Sequence, residues 1–200
     1  LESLPVKLVL GLGNPGKEYE GTRHNAGFLV LDELAGRAGV KFRRGWLSSS
    51  VVARAEVAGM SCWLAKPTTF MNRSGNAAAS LARKRGVKPE DLVVVFDDVE
   101  LEVGQVRVRS RGGAGGHKGV QSVIEQLATE DFVRVRVGVG PRPAGSDLVE
   151  YVLSRFTANE RSRIGEAVKR ASDAVEGILR MGVEKTMNEF NKKQGEGGDT

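Results

Sequence analysis

The chain has a single cysteine, two histidines and no long apolar run, and each shortage removes a class of explanation. Cys62 has no partner in the chain for a disulfide, and its place in the strand-like run MSCWLAK reads as buried and inert. Two histidines among scattered carboxylates give no metal-ligand spacing. No stretch approaches the ~20 apolar residues that span a bilayer, and the N-terminus lacks the basic, apolar, small-residue order of a signal peptide. A cytoplasmic protein is therefore expected, and the start at Leu1 reads as a trimmed end. There is no G-x-S-x-G elbow and no internal repeat. Without an evident protein nucleophile, water activated by a histidine base is the simplest hydrolytic chemistry on offer.

What is present suits one α/β domain. The 200 residues are enough for one sizeable core, with 1–191 assigned to a single domain and the apolar-poor 192–200 to a disordered tail. Thirty Lys and Arg against 25 Asp and Glu leave a charge of +5, and its placement matters more than its size. In QVRVRSR, strand alternation sends Val106 and Val108 one way and Arg107, Arg109 and Arg111 the other; FVRVRVGV repeats this with Arg134 and Arg136. Two such rows form a ladder suited to a polyanion backbone, or the ordinary polar faces of an antiparallel pair.

Periodicity predicts strands over 7–12, 49–58, 61–66, 92–96, 105–110 and 132–139. Helices are predicted over 23–38, 74–86, 118–128, 147–154 and 158–181, with a last helical piece to Phe190. Strands interleaved with helices imply a mostly parallel or mixed sheet covered on both faces. The sequence TANE from Thr157 to Glu160 is a capping box opening the long helix.

The stretch GLGNPGKEYEGTRHNAG, Gly11 to Gly27, joins the first strand to the first helix and gathers Asn14, Tyr19, His24 and Asn25. Thr22 is a candidate N-cap and Gly39 a stop, which sets His24 in the first turn, where the helix dipole disfavours imidazolium. A neutral imidazole suits a general base; a surface or capping histidine is the competing reading. LVVVFDD ends a buried strand in carboxylates, and Asp97 at that rim could orient His24, or it could cap a turn. PTTFMNRSG offers Phe70, Met71 and Asn72 ahead of a helix, apolar groups beside an amide that suit a small pocket orienting a carbonyl.

Gly11 to Gly16 matches G-x-G-x-x-G, but the helix starts too late and no acidic residue ends a second strand, so dinucleotide binding fails on context. RSRGGAGGHKG fails as a P-loop, because His117 rather than glycine precedes Lys118. It remains a glycine loop leading to a helix start that could hold a phosphate, or a tight turn.

Four motifs in order, GLGNPGKEYEGTRHNAG, KPTTFMNRSG, FDDVELEVGQVRVR and GGAGGHKG, closely resemble the bacterial-type peptidyl-tRNA hydrolases from about Lys7 to Phe190. The resemblance implies a three-layer α/β/α domain with a twisted mixed sheet between helices. It also implies a monomeric cytosolic esterase, with no metal or cofactor, that frees tRNA from peptidyl-tRNA. By that resemblance His24 is the proton acceptor, Asp97 holds it in its basic form, and Asn14 helps tell N-blocked peptidyl esters from free aminoacyl ones. Tyr19, Phe70 and Asn72 line the site for the tRNA 3′ end and the adjoining peptide, and Arg107 and Arg109 meet the tRNA backbone. The family usually has Asn where this chain has Lys118; lysine can contact substrate but cannot accept a hydrogen bond. An RNA-binding module without catalysis is the alternative of a different class, and a nucleotide-dependent oxidoreductase a third.

Overall fold

The structure is a computed structural model and describes residues 7–45 and 49–192. Along the chain run β1 (Lys7–Gly11), α1 (Ala26–Arg37), β2 (Arg43–Arg44), β3 (Ser50–Val57), β4 (Met60–Pro67) and α2 (Ser74–Arg85). Then follow β5 (Leu92–Glu102), β6 (Val106–Arg109), α3 (Lys118–Leu127), β7 (Val133–Gly140), α4 (Leu148–Leu153), α5 (Ala158–Met181) and α6 (Val183–Phe190). The strands form one seven-stranded mixed sheet in the order β2-β3-β4-β1-β5-β7-β6. β1 lies at its centre, parallel to both β4 and β5, while β3 and β6 pair antiparallel with their neighbours.

Alternation in the central strands feeds two separate apolar layers. Leu8, Leu10, Val94 and Phe96 point into one with Ala78, Leu81, Val120 and Val123 from α2 and α3. Val9, Val93, Val95, Val135 and Val137 point into the other with Val30, Leu34, Ala171, Val175 and Ile178 from α1 and α5. Strands buried on both faces read as continuous apolar runs, as KLVLG and LVVVF do. The start of α1 also approaches the backbone of the sheet directly. A Cβ on Gly27 would lie 2.4 Å from Val95 O and 2.6 Å from Leu12 N, and one on Gly11 would lie 2.5 Å from Gly27 O. The start of α1 is thereby pressed against the carboxyl ends of β1 and β5.

Three expectations change. The α-helix begins at Ala26, and His24 belongs to a 3-10 turn, Arg23–Asn25, ahead of it; Thr22 does not cap with its side chain but donates back to Tyr19 O at 2.8 Å. β5 runs on to Glu102, because it bends with a register shift between Asp98 and Glu102 and stays paired with β7. The two-residue strand β2, too short and polar to show a pattern, pairs with Val51 and Val52. At the other edge of the sheet, Asn191 takes the place of a neighbouring strand on β6. It accepts from Val108 N and donates to Val108 O, both at 2.9 Å. The tail assigned to 192–200 lies outside the described residues from 193 onward.

Candidate active site

The loop after β1 is tied down by amides. Asn14 N donates to Asn25 Oδ1 at 2.8 Å, Asn25 Nδ2 donates to Asn14 O at 3.0 Å, and Asn14 Oδ1 accepts from Met71 N at 2.8 Å. The first glycine motif, the 3-10 turn and the FMN segment are thus joined through two buried asparagines. Asn14 keeps only its NH2 group without a bond among the described residues, and it lines a cavity of about 540 Å³.

Asp97, 2% exposed, arrives at the floor of this cavity from β5. Its carboxylate lies 2.9 Å from His24 Nδ1 through either oxygen and 2.8 Å from His117 Nε2. The tautomers follow from the neighbours. His117 Nδ1 accepts from Gly119 N and Val120 N, 3.2 Å each, capping α3, so its proton is on Nε2 and is donated to Asp97. A carboxylate can only accept, so His24 donates from Nδ1 and carries its lone pair on Nε2. Burial alone would raise the Asp97 carboxyl, but the electrostatic attraction and hydrogen bonds of the His117 and His24 N–H groups outweigh it and hold the group well below the usual carboxylate range. The donor atoms of His24, Asp97 and His117 lie within 4.8 Å of one another, close enough to consider a metal. In this arrangement they are engaged with one another and with the α3 cap.

Phe70, Met71 and Asn72 line the same cavity. Phe70 is 58% exposed at the rim, and Tyr19 stands behind it with ring centroids 6.4 Å apart, edge to face, without lining the cavity itself. The opposite wall is α4, through Leu148, Val149, Val152 and Leu153. Lys118 also lines the cavity, exposed at the start of α3.

The arginine rows do face one side of the sheet, with Arg107 opposite Arg136 and Arg109 opposite Arg134. Like charges placed so are unfavourable, and three of the four are bonded elsewhere. Arg134, 2% exposed, donates to the carbonyls of Gly112, Glu130 and Phe132; Arg136 pairs with Asp98; Arg107 donates to Asn191 O. Arg111, beyond the paired positions, lies 3.3 Å from Asp131 Oδ1 through Nε, so among the described residues the expected ladder of free cations reduces to Arg109, exposed at the cavity mouth. Sequence reasoning missed His117 as a partner of Asp97, although it is the only other histidine in the chain. It also missed α4 as a wall, which two exposed apolar neighbours, Leu148 and Val149, could have signalled.

Comparisons with known proteins agree on one family. The family model described as peptidyl-tRNA hydrolase matches residues 8–197. A peptidyl-tRNA hydrolase of Elusimicrobium minutum is 42% identical over 187 residues, covering 94% of this chain and all of the relative. One from Caldanaerobacter subterraneus is 46% identical over 184 residues, covering 92% and 98%. The crystal structure of the Acinetobacter baumannii peptidyl-tRNA hydrolase superposes with a TM-score of 0.88 at 30% identity, covering 94% of this chain and 97% of the other. With sequence, fold and chain length all in agreement, this chain belongs to the peptidyl-tRNA hydrolase family.

Proposed function

We propose that this cavity is where the chain hydrolyses the ester joining a peptide to the 3′-terminal ribose of tRNA, releasing tRNA for reuse in translation, with water as nucleophile and His24 as base. The contact between His24 Nδ1 and Asp97 at 2.9 Å carries the reading. It commits one imidazole proton to a buried carboxylate and leaves Nε2, unbonded among the described residues, to take a proton from water. The water oxygen attacks the ester carbonyl, and the carbonyl oxygen becomes an oxyanion within reach of amide donors such as Asn72. Collapse breaks the bond to the 3′ oxygen, which takes the proton back from Nε2. The products are the peptide acid and a free 3′ hydroxyl.

Asn14 supports selectivity for N-blocked esters. With Oδ1 held by Met71 N, the amide presents a donor, which suits a peptide carbonyl and opposes a free α-ammonium. Phe70 and α4 offer apolar surface to the peptide, while Arg109 and Lys118 offer charge to the nucleic acid. Tyr19 is read as a support for Phe70, and Arg107 as a contact at the edge of the tRNA path. The chain is read as a monomer acting in the cytoplasm, and among the described residues no helix is long and apolar enough to cross a membrane. His24→Ala is expected to lower turnover of N-acetyl-aminoacyl-tRNA by ~10²- to 10⁴-fold while leaving tRNA binding nearly intact. Undiminished release of the acid would remove His24 from the mechanism.

A further inference from the structure

We infer that Arg23, through its ion pair with Glu160, is a positioning residue for His24, and that the same pair fixes the α4 wall at a set distance from that base. The inference rests on the function proposed above. Arg23 immediately precedes His24 and is 5% exposed. Its guanidinium donates to both Glu160 oxygens at 3.1 and 2.8 Å, to Ser154 Oγ at 3.2 Å and to Val139 O at 3.3 Å. It also lies 4.5 Å from the ring centroid of Tyr151 and 4.9 Å from that of Phe156. Its own backbone N–H donates to Ser154 O at 3.0 Å, and Thr22 bridges Arg155. One side chain thus joins the 3-10 turn to the end of β7, the end of α4 and the start of α5.

Stability alone gives no reason for a guanidinium here, since apolar residues of similar volume often replace a buried ion pair without loss. Geometry does. A base held only at Nδ1 can swing about that contact, and reaching a water held against the substrate demands that Nε2 stay put. Asp97 holds the ring; Arg23 holds the backbone one residue away. Because the same fork grips Ser154 and lies on Tyr151, α4 cannot shift relative to His24 without breaking it. Lysine offers the charge without the planar fork and cannot reach all these acceptors at once.

The test compares Arg23→Lys and Glu160→Gln with the unaltered chain, each shown to be folded by circular dichroism well below its Tm. Steady-state hydrolysis of N-acetyl-aminoacyl-tRNA is measured alongside the imidazole N–H resonances of ¹⁵N-histidine-labelled protein. Displacements near 1 Å cost up to ~10²-fold in rate, so Arg23→Lys is expected to lower kcat at least ~10-fold and to raise KM. The His24 Nδ1–H signal should move while the His117 Nε2–H signal stays. Glu160→Gln, which keeps one acceptor, is expected to show a smaller loss in the same direction, and it is read alone if Arg23→Lys does not fold. A kcat within about twofold of the unaltered chain, or an unmoved His24 signal, overturns the inference. An unaltered chain without hydrolytic activity overturns the proposed function instead, and the resonance then decides the positioning role by itself.

Discussion

At the scale of single residues, the site turns on which atoms are already occupied. Asp97 accepts from both histidines, so Asp97→Asn must present a donor to one of them and forces a tautomer change. The expected loss in kcat is ~10²-fold or more, measured on N-acetyl-aminoacyl-tRNA at saturation. Asn14→Asp keeps the acceptor for Met71 N–H but replaces the NH2 donor by an oxygen. The preference for N-acetylated over free aminoacyl-tRNA should then fall by about tenfold or more, and an unchanged ratio would remove Asn14 from substrate selection. His24, Asp97 and Asn14, which line one cavity, could be gathered as candidates from the sequence because each sits in a short motif at a strand end or beside one. His117 could not, since its role depends on a fold that brings α3 over β5, 20 residues away along the chain, and its helix cap hides the tautomer logic until the backbone is visible.

At the scale of elements, α1 and α5 carry the most informative junctions. The Cβ of Gly27→Ala would meet Val95 O at 2.4 Å, and backbone cannot give way as a flexible side chain would. A loss of about 3 kcal/mol or more is expected, measured by urea unfolding. At the head of α5, burial would raise the Glu160 carboxyl, but the bonds from Arg23 and from Thr157 bring it down to about 2. A folded value below the unfolded one, ~4.3, gives stability that is present above that pH and lost as pH falls toward 2. Glu160→Gln should therefore remove part of the acid dependence of unfolding between about pH 4.5 and 2. A wild-type acid limb in that variant would contradict the assignment. The capping box at Thr157 was legible because it is local in sequence. The 3-10 turn at His24 was not: turn and helix share the same apolar spacing, and the close approach at Gly27, set by the sheet, decides where the helix begins.

At the scale of the whole molecule, the alternation of helix and strand was enough to read the architecture, because the central strands β1 and β5 stand out as continuous apolar runs between amphipathic helices. The surface was harder to read. Arginines at alternate positions looked like one cationic face, yet Arg134 and Arg136 serve the fold, and only the backbone reveals the carbonyls and the carboxylate that claim them. Nucleic-acid affinity should accordingly depend on few charges. Arg109→Ala is expected to weaken tRNA binding and to reduce the slope of log K against log salt by about 0.7–0.9, with Arg134→Met leaving that slope unchanged in the folded fraction. Equal effects from both would return the interface to the full row. The bond between Asn191 and β6 has its own consequence for how this protein is made. Val108 and its partner are 83 residues apart, so at roughly 5–20 residues per second a newborn chain carries an unzipped outer strand for several seconds. During that interval a second nascent copy could dock there, and asparagine is what closes the opportunity.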